Sequence, residues 1–152
     1  MNVLDEIYNF LEIDNLLTTS GQPSEKQLCA LADANYEVII NLALHDDPRY
    51  SLPDETGLVE ALGMEYIHIP VLFDAPGEND LTAFFGALET NQDRKIHAHC
   101  AANMRVTAFL GLYRLIRQGK TMQAAFAPMG EIWEPDDVWS AFINTMAVKY
   151  VD

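Results

Sequence analysis

The chain has 152 residues, a length that fits one domain around one core. About half of the residues (49%) are hydrophobic, and no low-complexity tract interrupts them, so a packed interior is expected and extensive disorder is excluded. A formal net charge of −14 disfavours DNA, RNA and anionic membranes as partners, because phosphates attract basic surfaces, yet it leaves room for one phosphate in a local positive pocket.

Two cysteines, Cys29 and Cys100, are too few for a disulfide scaffold and suit a reducing compartment. Met1 to Glu6 lacks the basic start of a signal peptide, and no apolar run approaches membrane-spanning length, so a cytoplasmic location is expected.

Ile7 to Ile13 is a short apolar-periodic piece that reads as helical. Leu16 to Ser20 reads as a strand ended by Gly21-Gln22-Pro23. Ser24 with Gln27 three residues on has the form of a capping box, and a helix through Leu28, Leu31 and Ala32 follows. Cys29 lies in that helix and is expected in the core. Val38-Ile39-Ile40-Asn41-Leu42 reads as a strand buried on both faces. Pro53 to Leu62 reads as a helix stopped by Gly63, and Tyr66 to Ile69 as a strand ended by Pro70. A loop from Phe73 to Asn79 precedes a helix opened by Asp80, which serves as N-cap or first-turn acid. Lys95 to His99 is the next strand, with Ile96 and Ala98 on one face. Arg105 to Gln118 has helical spacing and ends at Gly119. Two further helices are expected near Thr121 to Phe126 and Asp136 to Val148. Strands alternating with helices predict an α/β fold with a mainly parallel sheet, organised as one domain over residues 1–152. Ligand sites in such sheets lie beyond the carboxyl ends of the strands.

The chemically informative stretch is His97-Ala98-His99-Cys100-Ala101-Ala102-Asn103-Met104-Arg105-Val106-Thr107. A strand delivers a cysteine, a loop of small residues follows, and a helix begins. Backbone N–H groups of such a loop, backed by a helix N-terminus, form an anion site, and the same field favours thiolate over thiol. An arginine in reach can hold two phosphate oxygens at once.

This pattern resembles the signature of the cysteine-dependent tyrosine and dual-specificity phosphatases. Thr19-Ser20-Gly21-Gln22-Pro23-Ser24 and Ile39-Ile40-Asn41-Leu42 extend the likeness to a bacterial phosphatase-like branch, from about Leu17 to Leu115. The resemblance implies Cys100 as nucleophile, Ala101, Ala102, Asn103, Met104 and Arg105 as the phosphate loop, and Asp74 as general acid. Ile69-Pro70-Val71-Leu72-Phe73-Asp74-Ala75-Pro76 resembles the family's acid loop, with Glu78 and Asp80 as substitutes for Asp74. His99 is expected to order the loop. Thr107 either supports the first helical turn or bonds the thiolate. The substrate implied is a phosphorylated protein or a small aryl phosphate, and no cofactor is implied.

The family loop has five residues between cysteine and arginine, with glycine third; here there are four, with Asn103 at the glycine position. In one alignment the loop is a residue shorter and Arg105 is the clamp. In the other nothing is deleted, Asn103 replaces glycine, Thr107 keeps the hydroxyl position, and Val106 falls where the arginine belongs. The shorter count also resembles the sulfurtransfer loop of the rhodaneses, a second reading. A non-catalytic phosphate-binding module is the third.

Plainer roles stand beside these. Asp74 in Asp-Ala-Pro-Gly is good turn chemistry. His97 reads as an ordinary strand residue. His45, His68, His97 and His99 lack the carboxylate and second histidine pair that a metal site would need, so no metal is expected. Trp133-Glu134-Pro135-Asp136 reads as a helix start.

Overall fold

The computed structural model describes residues 3–47 and 51–151. Five strands form one sheet: β1 (Leu11–Glu12), β2 (Leu17–Ser20), β3 (Val38–Asn41), β4 (Glu65–His68) and β5 (Ile96–His99). Their spatial order is β1-β2-β5-β3-β4, antiparallel between β1 and β2 and parallel elsewhere. The helices are α1 (Glu25–Asp33), α2 (Glu55–Ala61), α3 (Glu78–Thr90), α4 (Met104–Ile116), α5 (Met122–Ala125), α6 (Ala127–Gly130) and α7 (Asp137–Tyr150). The α/β class and mainly parallel sheet expected from the alternation are those found.

Strands β3 and β5 are buried at every position, as interior parallel strands are when helices cover both faces. Val38, Ile40, Ile96 and Ala98 join the large core with α3, α4 and α7. Ile39 meets Leu28 and Leu31 of α1 and Val59 of α2 in a second core, which also takes Leu4 and Ile7. The register sets Ser20 beside His99, His99 beside Asn41, and Asn41 beside His68. The carboxyl ends of all four parallel strands therefore share one edge, and the loops after them meet there.

Ser24 and Gln27 make both bonds of the capping box at α1. Gly63 and Gly119 take left-handed backbone beyond α2 and α4, where a side chain would be strained. The helix expected over Ile7 to Ile13 does not form. A 3-10 turn covers Val3–Glu6, Asn9 breaks the chain direction in a left-handed conformation (φ 52), and Leu11–Glu12 pairs with Thr19 and Thr18 instead. Tertiary pairing overrides the local period there. Helix α3 starts at Glu78 after an extended Gly77, so Asp80 is a first-turn acid. Helix α6 carries Pro128 in its first turn, a position proline tolerates. Cys29 is exposed, contrary to the expected core position: Leu28 and Leu31 hold the buried side of α1, and the next residue lies ~100° around the helix.

Candidate active site

Cys100 directly follows β5, and its thiol is fully buried on the large-core side. Three successive carbonyls of the following loop have partners outside it. The Cys100 carbonyl lies 3.2 Å from His99 Nδ1, the Ala101 carbonyl accepts from the Gln22 amide (3.0 Å), and the Ala102 carbonyl accepts from Asn9 Nδ2 (3.0 Å). In a trans peptide the N–H points opposite to the C=O, and every peptide described is trans. The Ala101 and Ala102 amides are thus turned away from those partners, and the first-turn amides of α4 follow them. This is the orientation an anion cradle requires. Gly21 makes the close approach possible. A Cβ there would stand 2.5 Å from the Ala101 carbonyl oxygen and 2.7 Å from the Tyr8 ring.

Asn103 has φ 66 and ψ 12 at the N-cap of α4, the left-handed conformation expected of a glycine substitute. Its Nδ2 donates to the Asn9 carbonyl (2.8 Å) and to Thr19 Oγ1 (3.0 Å). Met104 is the first residue of the helix. Val106 is fully buried in the core and has no polar group to offer. Arg105, the residue before it, is the first arginine after Cys100. The backbone at Asn103 has the left-handed form that the undeleted alignment asks of that position. Thr107 Oγ1 donates to the Asn103 carbonyl (2.7 Å), which closes the first helical turn.

Arg105 Nη1 donates to the Val71 carbonyl (2.8 Å), and its guanidinium lies over the Phe73 ring at 5.9 Å. The loop after β4 is held from below as well, because the Ile69 and Val71 amides donate to the Asn41 and Leu42 carbonyls (2.9 Å each). Trp139 Nε1 donates to the Phe73 carbonyl (2.6 Å), and Trp133 and Trp139 pack on the Phe73 ring. Asp74 comes next in the chain, exposed in a turn closed by Ala75 N–H to the Leu72 carbonyl (3.2 Å). Hydrogen bonds from Lys149 and Tyr150 hold the Glu78 carboxyl below the usual range.

Sequence reasoning missed Glu55. This carboxylate has no solvent exposure and sits 2.7 Å from His99 Nε2, with Gln22 Nε2 donating to its other oxygen (2.7 Å). Burial alone would push the Glu55 carboxyl up; the charge and hydrogen bond of His99, joined by Gln22, outweigh burial and hold it below its ordinary value. The two ring nitrogens of His99 face the Glu55 carboxylate and the Cys100 carbonyl. His97 is no ordinary strand residue either. Its Nδ1 lies 2.7 Å from Thr18 Oγ1 and its Nε2 2.7 Å from Ser20 Oγ, and burial, then the nearby His99, lowers its pKa well below 6.5.

A second histidine pair does exist. His45 stacks on His68 with centroids 4.1 Å apart and bonds the Tyr66 hydroxyl (2.8 Å). Among the described residues, no group of three or more histidine, cysteine or acidic side chains is arranged to hold a metal ion. No helix among them is long and apolar enough to cross a membrane. A cavity of about 500 Å³ lined by Leu17, Arg94, Ile96 and Tyr113 opens at the opposite end of the sheet, by the starts of β2 and β5.

The model of a family described as DSP-PTPase phosphatase fused to NAD+ kinase matches residues 6–134. A crystal structure of a DUF442 protein from Shewanella putrefaciens CN-32, described as a candidate phosphatase, is 32% identical (TM-score 0.85) and aligns over 97% of this chain and 96% of its own. Tk-PTP in its active form shares the fold at 20% identity (TM-score 0.74, 93% and 95% covered). So does the core catalytic domain of the PP-IP phosphatase SIW14 from S. cerevisiae, at 15% identity (TM-score 0.74, 94% and 93% covered). No curated protein matches the sequence.

Proposed function

The chain belongs to this family of DSP-type, cysteine-dependent phosphatases, which are hydrolases, and from that premise we propose that it hydrolyses phosphate monoesters through a phosphocysteine on Cys100. The observation that carries the reading is the loop after β5, whose carbonyls are tied to His99, Gln22 and Asn9, leaving its amides turned the other way beside a cysteine. In the proposed reaction the Cys100 thiolate attacks phosphorus, and the bond to the leaving oxygen breaks. Asp74 gives its proton to that oxygen. Water then attacks the phosphocysteine, Asp74 takes the water's proton, and phosphate leaves with the thiolate restored. Arg105 and the loop amides stabilise the equatorial oxygens; to do so, the guanidinium shares its donors between phosphate and the Val71 carbonyl. Asp74 is suited to the acid role because the segment leading to it is held by Arg105 at Val71 and by Trp139 at Phe73. The aromatic groups around Phe73 favour an aryl phosphate, including phosphotyrosine, and the cytoplasm is the proposed setting.

The test compares phenyl phosphate with 4-nitrophenyl phosphate in wild type, Cys100→Ser, Arg105→Lys and Asp74→Asn. Cys100→Ser is expected to abolish turnover of both, and Arg105→Lys to lose ~10²–10³-fold. Asp74→Asn is expected to lose ~10²-fold or more on phenyl phosphate and less on 4-nitrophenyl phosphate, whose leaving group needs less protonation. Retained activity in Cys100→Ser would sink the mechanism. Thiosulfate-to-cyanide sulfur transfer by the wild type would point to the rhodanese-like chemistry, and vanadate binding without turnover to a non-catalytic module.

A further inference from the structure

We propose that Asn9 is a positioning residue for the Cys100 loop, acting through the Ala102 carbonyl; the inference rests on the phosphatase reading of that loop. Asn9 and Asn103 are two left-handed asparagines (φ 52 and 66), far apart in sequence, that bind each other's segments reciprocally. Asn9 Nδ2 donates to the Ala102 carbonyl, and Asn103 Nδ2 donates to the Asn9 carbonyl. The adjacent Tyr8 carbonyl accepts from the Gly21 amide (2.7 Å), and Gly21 in turn bridges to Ala102. The segment that delivers Asn9 is anchored by Leu4 and Ile7 in the second core, whereas the Cys100 side chain belongs to the large core. Asn9 therefore draws the Ala102 carbonyl toward the opposite side of the sheet from the thiol.

The chemistry follows from the sign of the dipole. A carbonyl released from Asn9 is free to rotate its negative end toward the site, where it opposes both a thiolate and a phosphate oxygen. The left-handed conformation explains the residue type. Asparagine tolerates φ 52 and carries a donor of the right length, whereas glycine tolerates the conformation without the donor.

That difference supplies a clean probe. Asn9→Gly keeps the backbone and the Asn9 carbonyl that Asn103 uses, and removes only the donor to Ala102. Asn9→Asp keeps the shape and sets an acceptor against an acceptor. Both are made in a Cys29→Ser background, so that Cys100 is the sole thiol. The readouts are vanadate affinity and the pH midpoint of Cys100 alkylation by iodoacetate, neither of which needs turnover. Asn35→Gly, at an exposed left-handed asparagine after α1, is the control for a purely local backbone effect.

Asn9→Gly is expected to weaken vanadate about five-fold and to raise the alkylation midpoint by about half a pH unit. Asn9→Asp should do more in both, and Asn35→Gly should move neither. Equal values for Asn9→Gly and the Cys29→Ser parent, or equal shifts in Asn35→Gly, would overturn the inference. A parent that binds no vanadate and alkylates with an ordinary thiol midpoint near ~8.5 would overturn the phosphatase reading itself, and this inference with it.

Discussion

Replacing Glu55 with glutamine tests the buried pair that underlies the site. The carboxylate receives two donors, His99 Nε2 and Gln22 Nε2, each at 2.7 Å, and neither member of the His99 pair is exposed. An amide at position 55 has one oxygen, so it accepts from one of these donors and must turn its NH₂ toward the other. Removing one partner of a buried ion pair costs ~3–5 kcal/mol, and the retained shape recovers part of that, so a loss of about 3 kcal/mol is expected. For a chain of this size that lowers Tm by roughly 6–12 °C. Urea unfolding at pH 7 measures the gap directly. Its pH dependence is the sharper check. A carboxyl held below its ordinary 4.5 contributes stability that is fully present above that value and is lost as the pH falls through its folded value. The gap between wild type and Glu55→Gln should be full at pH 7 and close below about pH 4.5. A gap under about 0.5 kcal/mol at pH 7, or one that persists unchanged in acid, would refute the reasoning.

Gly21→Ala should displace the loop, because the new Cβ would meet the Ala101 carbonyl, a backbone atom with no freedom to yield; loss of turnover and a lower Tm together are expected in a phenyl phosphate assay and a thermal melt. Trp139→Phe keeps the ring packing on Phe73 and removes only the indole donor to its carbonyl, so kcat on phenyl phosphate should fall several-fold while KM for the phosphoryl group changes little. Folding stability should decline as the pH falls below 6.5, because the unfolded chain protonates His97 there and the folded one does not; urea midpoints taken from pH 7 to 5 should fall, and His97→Gln should flatten that slope.

The parts of this molecule legible in its sequence are those encoded locally. Val38 to Asn41 announces a doubly buried strand by composition, Ser24 with Gln27 announces a cap, and the strand–cysteine–small loop–helix run announces β5, the turn after it and α4. Asn103 was also readable, since few residues other than glycine hold φ 66 at low cost. Glu55 and Asn9 were not. Their partners lie 44 and 93 residues away, and no period or motif connects them. In sequence Glu55 is one acid beside another at a helix start, the ordinary place for exposed acids. Only the packing of α2 against the sheet turns it toward His99. Cys29 failed for the opposite reason: an apolar stretch suggested burial, but a helix has an outer side.

His97 and His99 show how far environment, rather than residue type, decides chemistry here. They lie on the same face of β5 with ring centroids 6.5 Å apart. Thr18 Oγ1 donates to the Tyr36 hydroxyl (2.9 Å) and Ser20 Oγ to the Gly21 carbonyl (2.6 Å), and the two hydroxyl oxygens each lie 2.7 Å from a nitrogen of the His97 ring. His99 lies between the Glu55 carboxylate and the Cys100 carbonyl. Burial opposes a proton on His97, and the nearby His99 opposes it further. The neutral ring in turn holds Ser20, and with it Gly21, against which the Ala101 and Ala102 backbone rests. The shape of the Cys100 loop thus depends on two histidines of one strand, His97 through Ser20 and His99 through the Cys100 carbonyl and Glu55.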